Sequence, residues 1–341
     1  MKIYGTLGPA CLDVNTIRQM FEAGMTGMRL NLSHISLTDA AQMINLYHMA
    51  SSEAGIISPD LLIDMQGPEL RIGSLPQTLI LEPGDKILLG GQELPVPDVI
   101  SPCLTPGQAI LLDDGKILLE VEAGPAGSTA TEDADAPVCL CTVLRGGKLE
   151  SRKSIALSGR ELRTPVLTRQ DRENLINAPD YGVTGIMQPF VRDREDLLEV
   201  RKAMEECGCG HLSLLAKIEN ISGVQRIHDY LDLADEIVIA RGDLGNSMPL
   251  WELPRVQKEL SEICSTARVP FMVVTQMLAS MESHPVPTRA EVSDIFHAVT
   301  DGASSIMVTG ETAIGKYPVE VIRYLANTAQ QALDYLKKRY N

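Results

Sequence analysis

Residues able to do chemistry collect in short polar stretches, each of which follows an apolar run about as long as a strand. The six stretches are Met28–His34, Ile63–Arg71, Ala216–Asn220, Ala240–Gly245, Val274–Met277 and Val308–Thr312. Four of them carry carboxylates and four carry Arg or Lys. Because the carboxyl ends of parallel strands meet on one face, these ends are expected to converge. Stability alone does not explain six such ends, so we predict an active centre there.

Lys217-Ile218-Glu219 is the strongest single element. Strand alternation puts Lys217 and Glu219 on the same face. The Lys can serve a transferring phosphoryl group as a cation, and the Glu can bind Mg²⁺, which prefers one or two carboxylates plus substrate oxygens. Asp243 would be the second carboxylate. A purely structural Lys–Glu ion pair explains the tripeptide equally well.

Arg241-Gly242-Asp243-Leu244-Gly245 follows the sixth apolar run. Its glycines allow close backbone approach, and a turn or helix start there would aim N–H groups at an anion. The other interpretation, which weighs more for this motif alone, is that Asp243 caps a helix after a tight turn.

Arg29, Asn31 and Ser33 alternate along the second run and its exit. The planar fork of Arg29 suits a phosphoryl group. Asn31, Ser33 and Asp64 are oxygen ligands of the kind that a hard cation uses. A polar strand end is the alternative.

The elements that must position these residues alternate between apolar runs and amphipathic helical patterns. The runs are Ile3–Leu7, Gly27–Leu32, Asp60–Asp64, Val183–Met187, Leu212–Ile218, Glu236–Ala240, Pro270–Thr275 and Ser304–Val308. The helical patterns are Val14–Ala23, Asp39–Ser51, Arg194–Glu206, Arg255–Ala267, Arg289–Val299 and Pro318–Lys338. Eight strands alternating with helices predict the α/β class and closure into a (β/α)8 TIM barrel.

One stretch breaks the alternation. From Ile72 to Gly159 the chain has short β-like runs, frequent turn signals and no convincing helix. It predicts a small all-β domain inserted after the third strand, with the barrel formed by residues 1–71 and 160–341. We expect it to act as a lid with hinges near Ile72–Gly73 and Gly159.

Composition narrows the class of protein. The formal net charge of −15, without a Lys/Arg run, argues against a nucleic-acid partner. No run approaches the roughly 20 apolar residues that span a bilayer, and no signal peptide is recognisable. Seven irregularly spaced cysteines indicate reduced thiols and a cytoplasmic location. Neither Cys139/Cys141 nor Cys207/Cys209 has the second pair or His partner that a zinc site needs.

Together these motifs resemble the pyruvate kinase family. The matching blocks occur in family order over the whole chain: Thr6–Ala10, Ala23–Met25, Arg29–His34, Asp64, Gly67–Arg71, Leu212–Val224, Ala240–Gly245, Thr275–Leu278, Pro287–Glu291, Asp301–Gly302 and Gly310–Ala313. The insertion lies where the family carries its B domain, with Asp113-Asp114-Gly115 and Gly146-Gly147 in matching places.

The resemblance implies that phosphoenolpyruvate and ADP give pyruvate and ATP. Glu219 and Asp243 would hold Mg²⁺ (or Mn²⁺), and Lys217 and Arg29 would neutralise charge on the phosphoryl group. The backbone around Gly242, with Ala240 beside it, would receive the substrate carboxylate. Thr275 would lie near the enolate carbon, with water as the proton donor.

The resemblance also implies a K⁺ site and a nucleotide site. The K⁺ ligands would be Asn31, Ser33, Asp64 and the carbonyl of Met65. Glu69 stands where K⁺-dependent family members carry Glu, so K⁺ dependence is expected. The residues facing the nucleotide would be Arg71, His34, Pro9 and Lys153.

The chain departs from the family pattern mainly on the nucleotide side. Met65 and Gln66 replace a Thr-Lys pair, Pro189 replaces a Ser, and Ile314 replaces a Lys. The block Arg152–Gly159 is loosely kept. The sequence given ends at Asn341, after the last helical pattern, so we expect no C-domain allosteric control and at most a homodimer through the barrel.

Three hypotheses follow. The first is an unregulated pyruvate kinase. The second is a related barrel enzyme acting on another enol phosphate or a 2-oxo acid. The third is a non-catalytic phosphoenolpyruvate-binding paralogue. Survival of the metal and phosphoryl groups favours the first, while erosion on the nucleotide side keeps the other two open.

Overall fold

The computed structural model describes residues 1–33, 35–68, 70–113, 115–123, 138–159, 162 and 164–340. By compactness the chain divides into two units. One comprises Met1–Pro68 with Pro165–Asn341, and the other comprises Glu69–Thr164.

The strands of the described chain are numbered in order. They are β1 (Lys2–Thr6), β2 (Gly27–Asn31), β3 (Asp60–Asp64), β4 (Leu79–Leu81), β5 (Lys86–Leu89), β6 (Ala109–Leu112), β7 (Ile117–Ala123), β8 (Cys139–Arg145), β9 (Gly147–Leu149), β10 (Ile155–Leu157), β11 (Gly185–Gln188), β12 (Ser213–Ile218), β13 (Glu236–Ala240), β14 (Phe271–Val274) and β15 (Ser305–Met307).

The α-helices of the described chain all lie in the first unit. They are α1 (Val14–Glu22), α2 (Ala41–Glu53), α3 (Arg169–Asn177), α4 (Arg194–Glu206), α5 (Ile221–Gln225), α6 (Arg241–Ser247), α7 (Leu253–Ala267), α8 (Arg289–Thr300), α9 (Gly310–Ala313) and α10 (Pro318–Tyr340). No helix among the described residues is long and apolar enough to cross a membrane.

The first unit is a closed parallel barrel with strand order β1-β15-β14-β13-β12-β11-β3-β2. Its strands are mostly apolar because helices cover one face and the barrel interior the other, with charged residues such as Arg29, Asp64 and Lys217 toward their carboxyl ends. The interior is filled mostly by aliphatic and Met side chains, among them Leu62, Met187, Leu215, Met272 and Val274. The predicted (β/α)8 barrel is therefore confirmed.

The second unit is all-β over its described residues. It has an antiparallel sheet of order β10-β6-β7-β8-β5 and a separate β4-β9 pair. Its own apolar core includes Leu89, Ile110, Leu119 and Val143. The sequence therefore predicted correctly that an all-β insertion follows the third barrel strand. The bounds 72–159 and the lid function stay predictions.

Helix α3 was not expected from the sequence. Its buried face includes Asp171 and Asn174, so the apolar periodicity that marks a helix is weak. Its N-terminus nevertheless carries a capping box, in which the side chains of Thr168 and Asp171 each bond to the other's backbone. That spacing was the available signal.

Candidate active site

The centre of the site is a carboxylate shared by two cations. Asp64, at the end of β3, accepts from Arg29 Nε at 2.8 Å and Nη2 at 2.7 Å. Its two oxygens also lie 3.2 and 3.1 Å from Lys217 Nζ. All three side chains are nearly excluded from solvent. Because a buried ion must be paired, each member depends on the others.

Strand register explains this meeting. Arg29 pairs with Leu62, two residues before Asp64 on the same barrel-facing side. On the other flank, Asp64 is level with Met187 of β11, which is level with Leu215 of β12. Lys217 lies two residues further along on the same side, at the carboxyl end of the barrel.

The electrostatics favour the ionised forms of Asp64 and Lys217. Burial by itself would raise the pKa of Asp64, but the charges of Lys217 and Arg29 outweigh it and hold that pKa below its usual value. Burial opposes the charged form of Lys217 too, yet Asp64 and Glu219 raise its pKa above the ordinary value. The raised pKa favours the cationic form of Lys217, which suits this side chain for neutralising charge.

Glu219 extends the cluster. Its Oε1 lies 2.8 Å from Lys217 Nζ, and its Oε2 accepts from the backbone N–H of Phe190 at 2.8 Å. The ion pair considered as the alternative is thus present, within a larger network. Phe190 donates from a left-handed conformation with φ of 53°, directly after Pro189, which replaces the expected Ser.

The donor set fits a divalent cation. A carboxylate can accept about four hydrogen bonds, so Glu219 retains acceptor capacity beyond its two contacts. With half-buried Asp243 it offers the hard oxygens that Mg²⁺ prefers. Within the described parts of the chain, no three His, Cys, Asp or Glu side chains gather closely enough to hold a metal. A metal held by these two carboxylates would take its other ligands from water or from a bound ligand's oxygens.

Helix α6 begins directly after β13 and carries the second carboxylate. Ala240, buried at the strand end, is its N-cap, and Asp243 is the third helical residue. The interpretation of Asp243 as the N-cap is therefore wrong, because the helix starts two residues earlier. A Cβ on Gly242 would lie 3.1 Å from Thr275 Cγ2, so a glycine there leaves room beside the Thr275 side chain.

The residues expected to bind K⁺ lie at the ends of β2 and β3. Asn31 is level with Asp64, and its Oδ1 accepts from the Ser33 backbone at 3.2 Å. Met65 packs its side chain into the core between barrel and helices, and its backbone N–H donates to the Met187 carbonyl at 3.1 Å, so a polar role would fall to its own carbonyl. Asp64 already serves Arg29 and Lys217. Glu69 lies outside the described residues.

The nucleotide-side residues fall in both units. Pro9 is exposed at the start of a 3-10 helix in the barrel unit, while His34 lies outside the described residues. In the second unit, Arg71 Nη1 donates to the Arg152 carbonyl at 2.9 Å. Lys153 Nζ lies 2.8 Å from Asp113 Oδ1, beside a cavity of about 350 Å³ that Lys116 and Lys148 also line.

Two supporting residues were missed from the sequence. Buried Asp171 accepts from the backbone N–H groups of Gln66 and Gly67 at 2.8 and 3.0 Å, so it fixes the loop after β3. Arg241 holds the backbone carbonyl of Thr275. Both act over long sequence separations, and neither has a local pattern that reveals its partner.

The fold and the site define a class of protein, namely a (β/α)8 barrel that carries buried Arg, Lys and carboxylate side chains at its carboxyl end. The sequence matches the family described as pyruvate kinase, barrel domain, over residues 1–322.

Named relatives agree. The chain is 38% identical to a pyruvate kinase of Geobacillus stearothermophilus over 98% of its own length and 57% of that protein. It is 35% identical to one of Bacillus licheniformis, covering 99% of this chain and 58% of the relative. It is 36% identical to a pyruvate kinase of Methylorubrum extorquens, covering 97% of this chain and 68% of the relative. The chain thus spans less than three fifths of the length of the first two relatives. It belongs to the pyruvate kinase family.

Proposed function

We propose that this chain transfers the phosphoryl group of phosphoenolpyruvate to ADP, giving pyruvate and ATP. One observation carries the proposal beyond family membership: Asp64 fixes Arg29 and Lys217 as a buried pair of cations beside Glu219. Asp64 and Glu219 balance the two cations, so the positive charge that a multiply charged anion needs, despite a net charge of −15, would come from these cations together with a bound Mg²⁺.

In the proposed reaction the bond from phosphorus to the enol oxygen breaks and a bond to a terminal oxygen of ADP forms. Lys217 and Arg29 would neutralise charge on the phosphoryl oxygens during transfer. Because Asp64 orients both cations beforehand, little reorganisation is needed when the charge develops.

The remaining barrel residues would bind and orient the substrate. Glu219 and Asp243 would hold Mg²⁺, which supplies positive charge to the substrate's phosphate and carboxylate oxygens when it is bound. The backbone at Gly242 would receive the carboxylate. The Thr275 hydroxyl would lie near the enolate carbon, which takes its proton from water.

The proposal includes a monovalent cation and a nucleotide site. Asn31, Ser33, Asp64 and the Met65 carbonyl would bind K⁺, and Glu69 would accompany K⁺ dependence. Pro9, His34, Arg71 and Lys153 would bind the nucleotide.

The decisive experiment measures pyruvate formation from phosphoenolpyruvate and ADP with Mg²⁺, with K⁺ present or replaced by tetramethylammonium. Wild type is compared with Lys217→Met and with Lys258→Met. Lys258 is a matched control, since it is half-exposed on α7 and pairs with Asp301. Loss of one charge stabiliser predicts a fall in kcat of about 10²–10³-fold for Lys217→Met. The control variant should match wild type.

Each outcome separates the candidate functions. Turnover that needs both cations and collapses only in Lys217→Met supports the kinase. Mg²⁺-dependent binding of phosphoenolpyruvate without turnover in wild type refutes it and favours a non-catalytic paralogue. Turnover of another enol phosphate or of a 2-oxo acid, with phosphoenolpyruvate inert, favours the related enzyme.

A further inference from the structure

The backbone immediately after β14 is in an unusual conformation. Thr275 has φ of 81° and Gln276 has φ of 55°, both in the left-handed region. For a β-branched residue such as Thr this is a genuine outlier, and it persists only where the surrounding structure holds it. Thr275 is also the residue proposed to lie near the enolate carbon, so its strain falls at the reacting end of the substrate.

The group that holds this turn is the guanidinium of Arg241, the first residue of α6. Its Nε and Nη2 donate to the Thr275 carbonyl at 3.2 and 2.7 Å. Its Nη1 lies 2.8 and 2.7 Å from the two oxygens of Asp294 on α8. Further contacts go to Gln257 on α7 at 3.4 Å and to Met277 Sδ at 3.0 Å.

The contacts of Arg241 with the Thr275 carbonyl and with Asp294 form a clamp, and burial makes this clamp rigid. The Arg241 side chain is 11% exposed, and its planar fork is matched to a carbonyl on one side and a carboxylate on the other. Asp294 belongs to the capped helix α8, which anchors the clamp to the helical layer. The carbonyl of Thr275 therefore cannot rotate without breaking its two charge-assisted hydrogen bonds to Arg241.

The clamp has a direct consequence for the Thr275 side chain. Arg241 and Gly242 are consecutive, and a Cβ on Gly242 would lie 3.1 Å from Thr275 Cγ2 and 3.8 Å from Oγ1. One short segment thus holds the Thr275 backbone with its first residue and forms the wall beside the Thr275 hydroxyl with its second. Return of Thr275 to an ordinary negative φ would change the direction of this hydroxyl.

We propose that Arg241, tied to Asp294, is a positioning residue that keeps Thr275 in its left-handed conformation and so aims the Thr275 hydroxyl into the substrate site. The role assigned to Arg241 requires no contact with the reacting atoms. The kinetic consequence of this inference rests on the proposed function, because Arg241 would affect only the protonation of the enolate. Phosphoryl transfer would still depend on Lys217 and Arg29.

The kinetic test is a double-mutant cycle with Arg241→Lys and Thr275→Ala. A Lys cannot chelate the carbonyl and reach Asp294 together, so the hydroxyl loses its fixed direction. We expect kcat to fall by about 10- to 100-fold with the KM for phosphoenolpyruvate changed by less than about twofold. In the Thr275→Ala background the same Arg241→Lys change should cost less than about twofold, because its target is gone. Fully additive effects would overturn the proposal, as would a rise in KM at constant kcat.

Arg201→Lys is the matched control. Arg201 on α4 also places Nε and Nη2 on one backbone carbonyl, that of Leu233 at 3.0 and 2.8 Å, and pairs with Asp235. This hydrogen-bonding pattern is the same as that of Arg241, but no residue assigned to the site is among the partners of Arg201. The kcat of Arg201→Lys should match that of wild type. An equal loss in Arg201→Lys would mean that any such clamp is merely structural.

A structural measurement decides the clamp without relying on turnover. Crystal structures of wild type and Arg241→Lys should show Thr275 at positive φ only in wild type. Persistence of the left-handed Thr275 in the variant would overturn the proposal even if activity fell. If Arg241→Lys does not fold, Asp294→Asn, which keeps the guanidinium and weakens its anchor, should give a smaller loss of kcat in the same direction. Wild type that does not turn over phosphoenolpyruvate would refute the proposed function, while the conformational comparison would still decide the clamp.

Discussion

The two units of this chain each contain an aspartate that bridges two cations, and the two bridges differ in burial. In the barrel, Asp64 joins Arg29 and Lys217, whose side chains are 13% and 12% exposed. In the second unit, Asp113 joins Lys116 and Lys153, whose side chains are 67% and 33% exposed. The same connectivity therefore exists once in a dry environment and once beside water.

Burial determines how far each bridge acts as a unit. When Asp64 is removed, Arg29 loses a carboxylate partner in a nearly dry site and Lys217 keeps only its contact with Glu219, so the desolvation penalty of both cations is less well compensated. When Asp113 is removed, its lysines turn toward solvent, where an exposed ion pair contributes little. The barrel bridge therefore couples stability to chemistry, whereas the bridge in the second unit allows its lysines to be altered one at a time.

The largest expected effect comes from neutralising the two aspartates in parallel. Asp64→Asn should lower the free energy of unfolding of the barrel by about 3–5 kcal/mol, while Asp113→Asn should cost about 1 kcal/mol or less. Urea unfolding followed by circular dichroism at 222 nm reports the barrel for Asp64→Asn, because the described α-helices all belong to it, and hydrogen exchange of the amides of β7 and β8 reports the second unit for Asp113→Asn. Equal losses would end the contrast between a buried and an exposed bridge.

Lowering the pH should reveal the contribution of each of the two aspartates to stability. The pKa of Asp64 is lowered in the folded state, so its contribution to stability is present above its unfolded pKa of about 3.9 and is lost as pH falls through the folded pKa. The stability of wild type should decline steeply below about pH 4, and Asp64→Asn should flatten that decline.

Asp113 gives the companion measurement. Burial raises its pKa, but hydrogen bonds from Lys153 and Lys116 outweigh this and lower it, so its contribution disappears in the same direction. Its exposed partners make that contribution small and sensitive to salt. Unfolding curves at low and high ionic strength should show salt sensitivity for the Asp113 bridge and little for the Asp64 bridge.

The smallest effects belong to single lysines of the second unit. Under the proposed function, Lys153→Ala should raise the KM for ADP by about tenfold, equivalent to loss of one charge-assisted contact, with the unfolding midpoint unchanged. Lys116→Ala, which removes the more exposed partner of Asp113, is the control and should leave both quantities near wild type. A rise in the KM for phosphoenolpyruvate alone in Lys153→Ala would argue against a nucleotide role.

Regular elements of this chain were predictable because their signals are local. Asp60–Asp64 and Glu236–Ala240 were predicted to the residue, since each is an apolar run bounded by polar groups. Helix α4 was predicted with its bounds for a similar reason. Helix α3 was missed because it buries polar groups, and its capping box was the only cue.

The candidate site was likewise predictable only where the sequence signal is local. Spacing alone put Lys217 and Glu219 on one face and Arg29 and Asp64 at neighbouring strand ends. It also predicted a turn or helix start within Arg241–Gly245, but the favoured cap, Asp243, was wrong.

The sequence by itself determined which residue types stand at the barrel's carboxyl end, because strand alternation and the position of each strand end follow from short-range pattern. Only the tertiary structure decided that Asp64 serves both Arg29 and Lys217, and that Arg241 holds the Thr275 carbonyl. Closing the barrel sets the register between strands far apart in the chain, and burial then decides which charges must pair. No local pattern carries that information, because the free energy of a buried charge depends on all of its neighbours at once.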